Sequence, residues 1–212
     1  MASVLVVFES KYGQTSKIAE RVGQIARSRN HSVRVVHVRD ASAVDVASFA
    51  GVIVLAPVYM GKHPRRILAF ARANARAFEK QRTAFVSVSN SAASGDPVVR
   101  EQAQRLARDT LAALAWRADV VATAGGALAF PRYNFLLRFV MRRIAQASGG
   151  PTDTRHVHEL TSWDDVERAV ATFLGPLEPV APLENIEPRE NIEPRELRPL
   201  APEPAEQVAL PD

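Results

Sequence analysis

The residues best suited to chemistry stand together in one polar segment near the N-terminus. It reads Glu9-Ser-Lys-Tyr-Gly-Gln-Thr15, follows an apolar run over residues 4–8, and precedes a helical pattern. Free backbone N–H groups and hydroxyls at a helix N-terminus bind anions, and Gly13 permits close approach of the backbone. The segment matches neither G-x-x-x-x-G-K-S/T nor G-x-G-x-x-G, the motifs for nucleoside triphosphates and dinucleotides. It therefore predicts a monophosphate site, although Ser10 and Thr15 would equally suit helix capping alone.

Two further polar segments follow apolar runs of strand length. Pro57-Val-Tyr-Met-Gly61 offers an aromatic ring and a flexible glycine, which suit the flanks of a planar ligand, although Tyr59 would also suit ordinary surface packing. Ser89-Asn-Ser91 offers side chains and backbone that can hydrogen-bond the edge of a heterocycle. The residues predicted to bind the ligand are Ser10, Lys11, Tyr12, Gly13, Gln14, Thr15, Pro57, Val58, Tyr59, Met60, Gly61, Ser89, Asn90 and Ser91.

The surrounding pattern predicts how these segments are positioned. Apolar runs typical of strands buried on both faces occupy residues 4–8, 33–38, 51–56, 83–88 and 120–128. Helical spacing of apolar residues occupies residues 15–28, 64–78 and 98–115, and residues 39–50 indicate a short helix or a loop. A last helix is expected to begin at Thr161 or Ser162 and to end at Gly175. Alternating strands and helices predict a three-layer α/β sandwich with a parallel sheet, whose ligands bind at the carboxyl ends of the strands.

The composition divides the chain into two parts. Residues 176–212 hold nine of the 14 prolines and no aromatic residue, and they repeat the hexapeptide Glu-Asn-Ile-Glu-Pro-Arg in tandem from Glu184 to Arg195. This part carries three arginines against nine acidic residues, whereas residues 1–175 carry 24 basic against 14 acidic residues. We expect a folded domain over residues 1–175 and a disordered Pro/Glu-rich tail over residues 176–212. The basic domain favours an anionic partner or serves solubility alone.

Several classes of site are excluded or disfavoured. The chain has no cysteine, so disulfides, thiolate metal sites and thiol redox chemistry are excluded within it. The five histidines are scattered or lack acidic partners at ligand spacing, so we expect no metal site. The chain shows no signal peptide pattern and no apolar run of membrane-spanning length, so a cytoplasmic location is expected, with peripheral attachment to the inner face of the cell membrane as an option.

Residues 132–145 form a segment that a minimal sandwich does not need. At helical spacing, Phe135 and Phe139 stand beside the cations Arg142 and Arg143. Helices that lie on anionic membrane surfaces combine apolar and cationic groups in this way. The alternative is that the apolar stripe packs on the domain.

The three polar segments together resemble the flavin loops of the flavodoxin family. The chain is more similar still to the menaquinone-dependent protoporphyrinogen IX dehydrogenase branch, over roughly residues 3–174. The segments that carry this likeness are Gly126-Ala-Leu, Pro131-Arg-Tyr133, Ser148-Gly-Gly150, Thr152-Asp-Thr-Arg155 and a final helix that contains Trp163.

The resemblance implies a flavodoxin-like fold with a five-stranded parallel sheet in the order 2-1-3-4-5, and FMN bound at the strand ends. It also implies oxidation of protoporphyrinogen IX to protoporphyrin IX by the flavin, with a membrane quinone as the acceptor. The flavin would carry the chemistry, so no catalytic side chain is expected and nucleic acid is not an expected partner. The cations expected to meet substrate propionates are Lys62, Arg65, Arg132 and Arg155. The alternatives are an electron-carrier flavodoxin and an NAD(P)H:quinone reductase.

Overall fold

A computed structural model describes residues 1–147 and 150–177 of the chain. Five parallel strands form the main sheet: β1 (Ser3–Phe8), β2 (Ser32–His37), β3 (Gly51–Pro57), β4 (Arg82–Ser89) and β5 (Val120–Gly125). Their order in the sheet is β2-β1-β3-β4-β5, as predicted. The longest apolar runs lie in the middle of the sheet, where both faces are covered, and β3 is buried along its whole length.

Helices cover both faces of the sheet. On one face lie α1 (Gln14–Ser28) and a later helix, Trp163–Leu174, and on the other lie α2 (Arg65–Ala73), α3 (Ala75–Phe78) and α4 (Pro97–Ala113). The α1 side of the core is built from Ile18, Val22 and Phe173 against the strands, and the opposite side from residues such as Ile67 and Phe85. These two cores confirm the three-layer α/β sandwich. Nothing in residues 1–147 and 150–177 is a helix long and apolar enough to cross a bilayer.

Two predicted elements prove to be interrupted, and the connection after β2 is resolved. The predicted helix over residues 64–78 is divided at Asn74, whose backbone N–H (3.2 Å) and side-chain amide (2.9 Å) both donate to the carbonyl oxygen of Phe70. The predicted strand over residues 120–128 ends at Gly125, because the chain turns at Gly126. Residues 39–50 contain two short 3₁₀ turns, Ala41–Ala43 and Val46–Ser48.

The chain beyond β5 forms a separate small layer at the carboxyl edge of the sheet. It contains β6 (Ala127–Ala129), a 3₁₀ turn (Phe130–Arg132), α5 (Phe135–Ala147) and β7 (Val157–Glu159), after which α6 (Trp163–Leu174) returns to the main sandwich. Strands β6 and β7 pair antiparallel. A third apolar cluster, in which Phe130 and Tyr133 are buried, joins this layer to Tyr12 in the first polar segment.

The ends of the last helix agree with the sequence signals. Ser162 is the N-cap, and its hydroxyl accepts from the backbone N–H of Asp165 (3.4 Å). A 3₁₀ turn, Gly175–Leu177, follows α6, and Leu177 packs against the core. The rest of the predicted tail, residues 178–212, lies outside the described residues.

Candidate functional site

Three loops meet at the carboxyl edge of the sheet, and we call them loop 1 (residues 9–15), loop 2 (residues 57–62) and loop 3 (residues 89–91). In loop 1, Gly13 is the N-cap of α1 with φ 98°, a left-handed conformation that favours glycine. The backbone N–H of Gly13 donates to Ser10 Oγ (3.1 Å), and the first helical bond runs from Lys17 N to Gly13 O (3.1 Å). Ser10 therefore stabilises the turn and does not cap the helix.

The start of α1 offers free hydrogen-bond donors. No described residue accepts from the backbone N–H groups of Gln14, Thr15 and Ser16, because these precede the first intrahelical bond. Thr15 is only 3% exposed, and within residues 1–147 and 150–177 its hydroxyl has no hydrogen-bond partner. An unpaired hydroxyl beside three unpaired amides at a helix N-terminus suits a phosphate group.

Loop 2 is a tight turn stabilised by its own backbone. Tyr59 and Lys62 exchange two backbone hydrogen bonds (2.9 and 3.1 Å), while Met60 (φ 50°) and Gly61 (φ 75°) both adopt left-handed conformations between them. The side chain of Met60 is 98% exposed, so it points away from the other two loops. The backbone N–H of Val58 donates to the carbonyl oxygen of Val88 (2.8 Å), which joins loop 2 to the end of β4.

A row of three tyrosines connects the loops with the small layer. The hydroxyl of Tyr59 accepts from the backbone N–H of Lys11 (2.7 Å), so loops 1 and 2 are joined directly. The ring of Tyr12 packs edge-to-face against Tyr59 (5.7 Å between centroids) and against Tyr133 (4.9 Å). Burial raises the pKa of Tyr59 to about 12. These contacts place Tyr59 between loops 1 and 2, so its ring is more than ordinary surface packing.

The buried ring of His63 supports loop 2, a role that the sequence did not predict. The imidazole is 6% exposed; its Nδ1 lies 3.1 Å from the carbonyl oxygen of Pro57, and its Nε2 lies 3.4 Å from the hydroxyl of Ser87. The ring also packs edge-to-face against Phe85 (5.3 Å). Burial lowers the pKa of His63, so the neutral ring donates from Nδ1 and accepts at Nε2. A single buried histidine leaves no periodic pattern in the sequence, so this role could not be predicted.

Loop 3 packs closely against the turn that follows β5. Ser89 Oγ accepts from the backbone N–H of Ala92 (3.2 Å), and the carbonyl oxygen of Ser89 accepts from Gly126 N (3.1 Å). A Cβ atom at Gly126 would lie 2.8 Å from Asn90 Oδ1, so a larger residue would displace that amide. Gly126 therefore borders loop 3, although it is not among the residues predicted to bind the ligand.

Gln14 was predicted to bind the ligand, but its side-chain amide is hydrogen-bonded within the protein. Its amide donates to Thr161 Oγ1 (2.8 Å), and that hydroxyl donates in turn to the carbonyl oxygen of Gly125 (2.7 Å). Lys17 in the same helix pairs with Glu159 of β7. The first turn of α1 is thus attached to the small layer through side chains, and only the backbone of Gln14 remains available at loop 1.

The four cations expected to meet a substrate occupy different environments. Lys62 and Arg65 are exposed beside loop 2. Arg132 donates to the carbonyl oxygen of Tyr12 in loop 1. Arg155 is exposed and lies 3.4 Å from the carboxylate of Asp153.

Asp153 organises the turn that carries Arg155. Hydrogen bonds from the backbone N–H of Arg155 and from the ring of His156 hold the pKa of Asp153 at about 2. His158 Nε2 lies 2.7 Å from the carbonyl oxygen of the same aspartate. Acidic and histidine side chains therefore do meet here, contrary to the expectation from spacing, but residues 1–147 and 150–177 contain no group of three or more that could hold a metal ion.

Helix α5 has an inner and an outer face. Leu137, Met141 and Ala145 pack inward, and the guanidinium of Arg138 donates to the carbonyl oxygens of Phe130 (3.0 Å) and Tyr133 (3.2 Å). The outer face presents large exposed apolar side chains together with two exposed arginines, namely Phe135, Leu136, Phe139, Val140, Arg142 and Arg143.

Comparison with known proteins agrees with this architecture. A family model described as Flavodoxin domain matches residues 5–155. The chain is 29% identical over 162 residues to protoporphyrinogen IX dehydrogenase [quinone] of Escherichia coli K12, covering 76% of this chain and 89% of that protein. It is 25% identical over 170 residues to the protein of that name from Leishmania major, covering 80% and 73% respectively. Among solved structures, oxidised Flavodoxin 1 from Bacillus cereus gives a TM-score of 0.47 at 16% identity, covering 82% of this chain and 98% of that one.

Proposed function

Since the chain belongs to the flavodoxin domain family, we propose that it is an FMN-dependent oxidoreductase that oxidises protoporphyrinogen IX with a quinone as electron acceptor. The observation that carries the cofactor assignment is that the three loops meet at the carboxyl edge of the sheet. Loop 1 is hydrogen-bonded to loop 2 through Lys11 and Tyr59, and loop 2 is hydrogen-bonded to β4 through Val58 and Val88. In open α/β sheets this edge is where ligands bind.

The residues of this edge fit FMN. The unpaired N–H groups of Gln14, Thr15 and Ser16 and the hydroxyl of Thr15 would hold the phosphate. Loops 2 and 3 supply the Tyr59 ring, backbone groups and the Asn90 amide for the planar ring system. When bound, FMN accepts two electrons from a reduced substrate and delivers them to an acceptor.

The substrate assignment is supported by the two relatives, both of which are named for protoporphyrinogen IX and quinone. The chain supplies cations suited to carboxylate groups on such a substrate, since Lys62 and Arg65 are exposed beside loop 2 and Arg155 stands on a turn ordered by Asp153. The tyrosine row covers one side of loop 1 and limits access of water there. His63 keeps loop 2 in place by donating to Pro57.

The decisive test is an anaerobic assay of the purified flavoprotein with protoporphyrinogen IX. We expect porphyrin fluorescence to appear when a menaquinone or ubiquinone analogue is supplied, and not when the quinone is omitted. NADPH oxidation with the same quinones, without porphyrinogen, would indicate a general quinone reductase instead. Flavin reduction with neither activity would indicate an electron carrier.

We further propose that the outer face of α5 binds an anionic membrane surface. Phe135 is 86% exposed and Phe139 58% exposed, and they lie beside Arg142 and Arg143, so apolar and cationic groups face outward together. Anionic headgroups complement these arginines, and a lipid-soluble quinone is delivered at that surface. Arg138 of the same helix donates to the carbonyl oxygens of Phe130 and Tyr133 and does not contribute to this face.

Vesicle binding tests this surface. Replacing Arg142 and Arg143 together with glutamine should weaken binding to anionic vesicles roughly 30-fold, because each arginine contributes on the order of 1 kcal/mol near such a surface. Arg105→Gln with Arg117→Gln makes the same change of charge at exposed positions elsewhere and should have little effect. Equal weakening in both double variants would show that net charge, and not α5, drives the binding. Unchanged binding in the α5 variant would contradict the proposal.

A further inference from the structure

Arg132 was predicted to meet substrate carboxylates, but its side chain lies over loop 1. Its Nη1 donates to the carbonyl oxygen of Tyr12. The guanidinium also packs directly against Gly13, because a Cβ atom added at that glycine would overlap Nη1. A long cationic side chain from a different layer of the protein thus contacts two consecutive residues of the loop that begins α1.

The base of this side chain is firmly held. Arg132 ends the turn Phe130–Arg132, whose flanking carbonyl oxygens at Phe130 and Tyr133 both accept from Arg138. The hydroxyl of Tyr133 accepts from the backbone N–H of Ala129 (3.1 Å), while its ring packs on Tyr12. These contacts fix the backbone of the turn, and the exposed Arg132 side chain extends from it to the carbonyl oxygen of Tyr12.

The electrostatics of this position are unfavourable without an anion. The N-terminus of α1 carries the positive end of the helix dipole, and acidic residues normally stand there. Here the first turn reads Gln14-Thr-Ser-Lys17, with no carboxylate, and Arg132 and Lys11 add two cations beside it. Glu9 in the same loop faces Arg66 instead (3.6 Å). An anion with two negative charges would compensate all of these positive groups at once.

We propose that Arg132 is a cofactor-binding residue, whose guanidinium pairs electrostatically with the phosphate of FMN while it positions loop 1, and that it is not a ligand for substrate carboxylates. This inference rests on the proposed function only in requiring FMN as the cofactor. The small layer would then help the protein to bind FMN in preference to the flavin without a phosphate, because it carries Arg132. Riboflavin has the same ring system without the phosphate, so Arg132 should distinguish between the two.

The test is titration of the apoprotein with FMN and with riboflavin, followed by flavin fluorescence. Arg132→Gln should raise the dissociation constant of FMN about tenfold, the lower range for a hydrogen bond or ion pair to a charged group, and leave that of riboflavin unchanged. Arg132→Lys should lie between wild type and Arg132→Gln, since it retains the charge. Arg117→Gln removes an exposed arginine that precedes β5 at the opposite end of the sheet and should change neither constant. The FMN affinity of wild type should also fall more steeply with salt than that of Arg132→Gln.

Each alternative outcome contradicts the inference in a recognisable way. Equal weakening of FMN and riboflavin by Arg132→Gln would show that the arginine only shapes the loop. Normal FMN binding with a raised KM for protoporphyrinogen would return Arg132 to the substrate site. Failure of the wild-type apoprotein to bind FMN would remove both this inference and the proposed function. Selective loss of FMN binding in Arg132→Gln, with no porphyrinogen oxidation by wild type, would support the inference and contradict only the enzyme assignment.

Discussion

Replacing Gly13 with alanine should destabilise the protein and weaken flavin binding. Two physical effects combine at this residue. The backbone has φ 98°, and a side chain in a left-handed conformation costs about 1–2 kcal/mol. The new methyl group would also overlap the guanidinium of Arg132, which must move and release the carbonyl oxygen of Tyr12, a loss of about 0.5–1.5 kcal/mol.

A smaller effect opposes these two. Alanine restricts the unfolded chain more than glycine does, which contributes about 0.4–1 kcal/mol in favour of folding. The net decrease in the free energy of unfolding is therefore expected to be about 1–2.5 kcal/mol. Gly95→Ala is the matched control, because Gly95 does not have a left-handed φ and an added Cβ there would meet nothing within 4 Å. That control should be neutral or slightly stabilising.

Urea unfolding followed by circular dichroism measures these differences, and a double-mutant cycle separates their causes. If overlap with the guanidinium matters, Gly13→Ala combined with Arg132→Ala should lose less stability than the two single variants added together, by about 0.5–1.5 kcal/mol. A Gly13→Ala protein as stable as wild type would refute the argument from the backbone. Strict additivity would refute the argument from contact with Arg132.

Three further predictions concern the cofactor, pH and the C-terminal part. Thr15→Val should weaken FMN binding by about 1.5–3 kcal/mol through loss of a bond to a charged acceptor, measured by fluorescence titration, whereas unchanged affinity would remove Thr15 from the phosphate site. Burial lowers the pKa of His63 in the folded protein below its ordinary value of 6.5. The contribution of the neutral ring to the free energy of unfolding is therefore complete above pH 6.5 and declines as the pH falls below it. His63→Asn should flatten that part of the pH dependence of urea unfolding, and an unchanged profile would contradict this. Deleting residues 178–212 should leave the melting temperature and flavin content unchanged, since this composition cannot bury a core; a large drop would contradict it.

The strands could be predicted because burial on both faces leaves a clear apolar pattern in the sequence, whereas their order was implied by the family resemblance. The apolar run at β3 is the clearest case, since each of its residues is buried. The end of β5 could not be predicted in the same way, because Ala127 and Leu128 continue an apolar run. Only the three-dimensional structure shows that they leave β4 and pair with β7.

The polar loops were predictable by type and position, but the partners of their side chains were not. Gly13 and Thr15 stand where a strand meets a helix, which a sequence reveals directly. Arg132 is separated by about 120 residues in sequence from the loop that it contacts, and the ring of His63 donates to the carbonyl oxygen of Pro57. Long-range contacts of single polar side chains leave no periodicity in a sequence, so both roles required the structure.

The small layer begins and ends at nearly the same point in space. The backbone N–H of Leu160 donates to the carbonyl oxygen of Gly126 (3.0 Å), and the hydroxyl of Thr161 donates to the carbonyl oxygen of Gly125 (2.7 Å). The 33 residues between Gly126 and Leu160 therefore leave the sandwich and return to it at the same place. A segment inserted in this way is a removable module: a short turn joining Gly126 to Leu160 would close the chain while leaving the order of the five strands intact. Its removal would take Arg132 from loop 1 and the exposed face of α5 from the surface together, so both depend on this one segment.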